Sequence, residues 1–196
     1  PAKALEAGAD TARMSAAAAA ALKRVEPLLT LARQGPELEA AFADFLRLEA
    51  SGWKGGEGKA SAINLHPHLL GFYRALKDRF SPTRNCLISL LQLDGVTIAA
   101  QFCLQSAGTL YILKMAYDEA WHAEAPGGQL LYKLLEYCCS EPEIHQLNLV
   151  TGPAWARGRW NPESQPVWET YMFRPRLRGL WGLAMRRCKQ RFGKGS

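Results

Sequence analysis

The chain has 196 residues, a hydrophobic fraction of 48% and a formal net charge of +6, a composition suited to one generous domain with a buried core. No apolar run approaches the roughly 18 residues that a bilayer crossing needs, and the first residues show neither the basic lead nor the leucine-rich core of a secretory signal. The five cysteines, Cys86, Cys103, Cys138, Cys139 and Cys188, form no CxxC, which argues against a disulfide framework and for a reducing, cytoplasmic setting.

The sequence opens on Pro1 with no initiator methionine, as expected of a piece of a longer chain. Residues 8–33 are alanine-rich and contain LKRVEPLLTLARQ; they read as a helical arm interrupted at Pro27, so residues 1–35 are expected to be a linker. PELEAAFADFLRLEA (36–50) predicts a helix. Pro36 stands at a first-turn position, acids follow it, and Leu38, Phe42, Phe45, Leu46 and Leu48 line one face. A glycine-rich loop, SGWKGGEGKA, carries Trp53 and Lys54. HPHLLGFYRALKDRF (66–80) predicts a second helix with Leu69, Leu70, Phe72, Tyr73, Leu76 and Phe80 on its buried side.

After the turn SPTRN (81–85) the apolar period changes from helical to strand-like. CLISLLQL, VTIAAQFCL and TLYILKMA predict three strands, joined at Asp94-Gly95 and at Ser106-Ala107-Gly108. An Asp-Gly pair is a strong hairpin signal, because both turn positions need positive φ. APGGQLLYKLLEYCCS (125–140) predicts a helix that buries Leu130, Leu131, Leu134, Leu135 and Cys138. HQLNLVTG (145–152) predicts a fourth strand and VWETYMFRP (167–175) a fifth.

From Arg174 onward the chain carries eight basic residues and no acid, which leaves the remainder slightly negative. This tail, expected as a separate element over 174–196, alternates arginines with Leu177, Leu180, Trp181, Leu183 and Met185. The pattern fits a helix lying on an anionic membrane surface, such as the inner face of the cell membrane. RNA phosphates would be drawn by the same charges, and a helix docked on the body with solvated arginines is the plain alternative.

The element order predicts an α/β (α+β) domain over 36–173: a mixed, mostly antiparallel sheet flanked by helices. One parallel pair arises from the strand–helix–strand unit 109–150. Ligands tend to bind outside the carboxyl ends of strands at such a junction, and AYDEAWHAEAPGGQLL (116–131) begins there.

This order, with FLRLEASGWKGGEGKA, LQLDGVTIAAQF, GTLYILKMAYDEAWHAEAPGGQLL and LNLVTG, resembles the GNAT acyltransferase superfamily. It looks most like the CelD/BioF2-like acetyltransferase branch, related to the Fem-type aminoacyl transferases, over roughly residues 36–165. The resemblance implies an N-acyltransferase that moves an acetyl group from acetyl-CoA to an amine acceptor, such as an amino sugar of envelope or exopolysaccharide metabolism. It implies a coenzyme pyrophosphate held on backbone N–H groups of the loop around Pro126, Gly127, Gly128 and Gln129, with the pantetheine arm between strands 109–116 and 146–150. The superfamily loop usually reads R/Q-x-x-G-x-G/A, whereas this one reads AEAPGG, and relatives often carry an acid at the place of Asn148. Two other readings stay open: a Fem-type transferase using aminoacyl-tRNA, and a non-catalytic GNAT-like scaffold. A leading strand, expected of many GNAT domains, is not evident before residue 36.

Acyl transfer to an amine requires the amine deprotonated, the carbonyl polarised and the two held in line. Glu49, just before Trp53-Lys54, is a candidate base or an ion-pair partner of Lys54. Lys114 stands in an otherwise apolar strand and is expected to pair with Asp118 or Glu49, polarising a carbonyl or orienting the acceptor. Asp118 and Glu119 can receive a cationic acceptor, although Asp118 is equally a turn former. Trp53, Lys54 and Asn148 join the acceptor side, with Trp155 and Trp160 as further walls, and His122 is a minor candidate for proton shuttling. The histidines of HPH (66–68) lack companion ligands, so no metal is expected.

Overall fold

The computed structural model describes residues 27–51, 60–150 and 161–164. The chain divides into two units, 1–152 and 153–196, and every element below belongs to the first. In chain order these are β1 (Leu28–Ala32), α1 (Gly35–Glu49), α2 (Pro67–Phe80), β2 (Cys86–Leu93), β3 (Val96–Ser106), β4 (Thr109–Tyr117), α3 (Pro126–Ser140) and β5 (Gln146–Asn148), with short 3-10 turns over Ile63–Leu65 and Glu119–Glu124. The sheet runs β1-β2-β3-β4-β5. Its first four strands are antiparallel and the last pair, β4 and β5, is parallel. This is the mixed sheet that the element order predicted.

β1 corrects the last part of the helical reading of residues 8–33, whose residues 8–26 lie outside the described residues. LLTLA pairs with β2 from Leu28↔Gln92 to Ala32↔Ile88, so the sheet starts ahead of residue 36 and a leading strand is present. Pro27 explains the error. It lacks the N–H a helix interior would need, so a helical pattern is not carried through it into the five residues that follow. An edge position suits them, because one side of the strand needs no partner.

The β2–β3 turn has Asp94 and Gly95 at φ 50° and 77°, and the β3–β4 turn has Ala107 and Gly108 at 47° and 77°. Both are the doubly positive turns whose twist matches that of the strands. β5 is shorter than expected: the Asn148 side chain accepts a hydrogen bond from the Val150 amide at 2.8 Å, ending the strand in a local turn.

The core has two parts. Phe42, Phe45, Tyr73 and Phe102 pack ring to ring beneath α1 and α2, with Phe45–Phe102 and Tyr73–Phe102 centroids 5.7 and 5.3 Å apart. Leu91, Leu93, Ile98, Ala99 and the α3 residue Leu130 form the second part. The expected buried face of α2 is only partly realised. Tyr73 is buried and Leu70, Leu76 and Phe80 pack partly, but Leu69 and Phe72 are 43% and 55% exposed. Lys77 takes a buried place, on the same face by helical spacing as Leu70 and Tyr73, that its charge argued against. Its ammonium pairs with Glu39 of α1 and Asp78 and lies 5.8 Å from the Phe42 ring centre, which offsets the cost of burying it. The predicted strand over 167–175 and the basic tail over 174–196 lie outside the described residues.

Candidate functional site

The site follows from how β4 leaves the sheet. Its register with β3 slips between Phe102 and Cys103, so that Lys114 faces Phe102 while Ile112 faces Cys103. Leu113 is the extra residue of a bulge, which bends the strand and increases its twist. Pairing with β5 ends at Tyr111↔Asn148. The carboxyl half of β4 therefore runs beyond its parallel partner.

A small cleft lies at this end of β4, lined by Leu48, Glu49 and Ser51 from the end of α1 and by Met115, Ala116, Tyr117 and Glu119. It encloses about 30 Å³, room for one or two waters. Glu49 is only 2% exposed, and its Oε2 accepts the Ile63 amide at 2.7 Å. This carboxylate ends α1, where the helix dipole disfavours negative charge. Its field is felt nearby: the Tyr73 phenol is pushed up by burial and then by Glu49. Burial, followed by the charge of Glu119, likewise raises Tyr117. The Tyr117 hydroxyl lies 3.2 Å from His122 Nδ1, and that nitrogen is 4.0 Å from Glu119.

The helix start beside the cleft differs from a row of bare amides. Ala125, the cap residue of α3, is left-handed at φ 49°, ψ 52°, a conformation that suits glycine better. Pro126 has no N–H, and the amides of Gly128 and Gln129 both donate to the Ala125 carbonyl, at 2.9 and 3.1 Å. Gly127 is thus left to offer a free amide among the described residues of that turn. The Gln129 side chain ties the loop by donating to the Glu124 carbonyl at 2.7 Å. A Cβ on Gly127 would stand 3.0 Å from Met115 Sδ, whereas one on Gly128 would meet nothing within 4 Å. Gly127 lets the helix approach β4, and Gly128 leaves the helix start bare. Both carboxylate oxygens of Glu124 are buried without a hydrogen-bond partner.

The residues expected from sequence separate accordingly. Glu49 and Glu119 meet at the cleft. Asp118 serves the turn: its Oδ1 accepts the Ala120 amide at 3.0 Å and its own amide donates to Ile98. Lys114 makes no ion pair with Asp118 or Glu49 among the described residues. It is only part-buried, so its stem packs while its ammonium keeps water, and the desolvation that argued for a partner does not arise. Asn148 caps the end of β5. Trp53, Lys54, Trp155 and Trp160 lie outside the described residues. Sequence reasoning missed Ser51, Met115 and Tyr117; alternation along β4 does put 115 and 117 on one face, but nothing local marks that face as lining a cleft. No group of three or more His, Cys, Asp or Glu among the described residues is arranged to hold a metal. No described helix is long and apolar enough to cross a membrane.

Residues 11–160 match a protein family described as an acetyltransferase (GNAT) domain. Among solved structures the chain is similar to a possible acetyltransferase from Clostridium difficile 630, with 10% identity and a TM-score of 0.50 over 75% of this chain and 99% of that one. It is also similar to the aminoglycoside N-acetyltransferase AAC(6')-Iy in complex with CoA, with 11% identity and a TM-score of 0.50 over 76% of this chain and 97% of that one. No curated protein matches the chain.

Proposed function

The chain belongs to the GNAT acetyltransferase family, and from that premise we propose that it moves an acetyl group from acetyl-CoA to a cationic amine, with Glu49 as the proton acceptor. The observation that carries this reading is the burial of Glu49 in a cleft at the carboxyl end of β4, beside the start of α3. A carboxylate at a helix C-terminus, 2% exposed, is not a choice the helix dipole favours. It is a good one for removing a proton from an amine.

The donor's pyrophosphate is assigned to the α3 start around Pro126, Gly127, Gly128 and Gln129. The helix dipole favours an anion there by about 0.3–1 kcal/mol when exposed, and the empty space over Gly128 lets a phosphate come close. The acetyl-bearing arm then lies along the carboxyl half of β4. Glu49 and Glu119 draw the acceptor ammonium into the cleft. Glu49 takes one proton, directly or through a water, and the freed amine attacks the thioester carbon. The carbon–sulfur bond breaks, and the departing thiolate takes up the amine's second proton. Trp53 and Lys54 adjoin Glu49 in sequence and are assigned to the acceptor side, as is Lys114. An amino sugar is the favoured acceptor: two carboxylates suit it, and the CoA-bound fold neighbour is named for aminoglycosides.

Calorimetric titration with acetyl-CoA tests the donor, and no heat at millimolar ligand rejects it. Release of free thiol with a panel of amino sugars, against the same sugars lacking the amine, tests the acceptor class.

A further inference from the structure

We propose that Tyr117 and His122 form the route by which the proton released in each turnover leaves the cleft, an inference that rests on the amine-acetylation reading. The stoichiometry requires such a route. An ammonium brings three protons: one remains on the amide nitrogen and one goes to the thiol. The third must reach bulk water. Glu49 receives it, but at 2% exposure it has little contact with solvent.

Tyr117 lines the same cleft as Glu49. Its hydroxyl lies 3.2 Å from His122 Nδ1, and the two rings lie near one another, with centroids 6.0 Å apart. The His122 side chain is 75% exposed. Tyr117 thus lines the cleft, and an exposed hydrogen bond joins its hydroxyl to a residue in water. The relay runs with the phenol donating to Nδ1 and the imidazole proton on Nε2. When a cleft water passes a proton to the Tyr117 oxygen, the phenolic proton moves to Nδ1 and the Nε2 proton leaves to solvent. The phenol is neutral before and after, so no phenolate has to form, and exchange of the exposed imidazole with water returns its proton from Nδ1 to Nε2 before the next turnover. Glu119, 4.0 Å from the same Nδ1, steadies the imidazolium that exists between the two transfers. Among the described residues, the titratable groups that contact His122 are Tyr117 from β4 and Glu119 from its own turn.

The experiment compares wild type, Tyr117→Phe and His122→Ala in the thiol-release assay, using the amino sugar with the highest wild-type rate and adding imidazole to parallel reactions. His122→Ala is expected to lose roughly 10–100-fold in kcat with KM for acetyl-CoA unchanged, and imidazole is expected to restore it. Tyr117→Phe is expected to lose as much without restoration. A structural role would not respond to imidazole, and the exposed position of His122 makes misfolding a minor concern that circular dichroism checks. A His122→Ala enzyme with wild-type kcat, or one that imidazole leaves unrestored, overturns the relay and leaves the acetylation reading standing. If wild type acetylates no amine, the acetylation reading fails. Nitrogen NMR of labelled histidine in the free protein then decides the pair: a His122 Nδ1 resonance unmoved by Tyr117→Phe overturns it.

Discussion

Replacing Glu49 separates what the carboxylate holds from what it does. Its Oε2 accepts the Ile63 amide at 2.7 Å in a buried setting. Alanine removes that acceptor, and an unsatisfied buried N–H costs about 1–3 kcal/mol. For a chain of this length each kcal/mol moves Tm by roughly 2–4 °C. Glutamine keeps an oxygen for Ile63 and removes only the charge, which the helix dipole disfavours there. Thermal unfolding should therefore show Glu49→Ala destabilised more than Glu49→Gln. Activity should behave differently: losing a general base costs about 10²–10⁴-fold, and both variants should show it. An internal check is available. Glu49's charge is one cause of the raised Tyr73 phenol, so the glutamine variant should ionise that phenol at lower pH, read by ultraviolet absorbance. A glutamine variant with wild-type kcat/KM would refute the assignment of Glu49 as proton acceptor.

Glu124→Gln should stabilise the protein by about 1–3 kcal/mol, since it removes a buried carboxylate with no partner; it should also tighten acetyl-CoA in calorimetry, because one negative charge leaves the helix start. Gly108→Ala should cost about 1–2 kcal/mol in urea unfolding. Gly108 sits at φ +77°, and the added methyl would stand 2.8 Å from His145 Cδ2, which the side chain must move to clear. In a Cys188→Ser background at pH 8, a thiol reagent should modify Cys139 quickly and spare Cys86 and Cys138, whose thiols burial pushes up to about 11. Their raised values also fix a sign. The stability they confer is whole below the ordinary thiol value of 9.0 and is lost as pH climbs from there towards about 11, so an alkaline unfolding series should show the loss in that window.

The parts of this fold that were legible in sequence are those whose cause is local. The face of α1 shows in the spacing of Leu38, Phe42 and Phe45, and the β2–β3 hairpin shows in Asp94-Gly95. The parallel pair follows from a strand, a helix and a strand in succession. What failed depends on partners far along the chain. β1 is a strand because Gln92 and its neighbours await it. Lys77 is buried because Glu39, on another helix, meets it. Lys114 was expected to seek a carboxylate, yet Asp118 and Glu49 bond the amides of Ala120 and Ile63. The candidate site was legible to a similar degree. Glu49 and Glu119 could be named, but that they share a cleft depends on the bulge at Leu113 and the early end of β5, and neither leaves a mark in composition or period.

Several positions where this chain departs from locally favourable chemistry lie near one end of the sheet. Glu49 puts a buried carboxylate at a helix C-terminus. Ala125 holds a left-handed conformation at the cap of α3. Glu124 buries an unpartnered carboxylate just before that cap, and Gln101, facing Met115 across β3 and β4, buries an amide nitrogen without an acceptor. Glu49 and Gln101 adjoin the carboxyl half of β4, the stretch that outruns its parallel partner, while Glu124 and Ala125 lead into α3, whose Gly127 approaches Met115. Of the other left-handed residues, Asp94 and Ala107 sit in hairpin turns that require them, and Ala60, Arg84, Val150 and Asn161 lie outside those hairpins. Folding alone gives no reason to gather unfavourable choices at one end of one strand. A site that needs a desolvated base, a bare helix start and backbone left unpaired does give one. The same crowding implies that charge-neutral substitutions at Glu49 and Glu124 should part in their effects: only the first should remove activity.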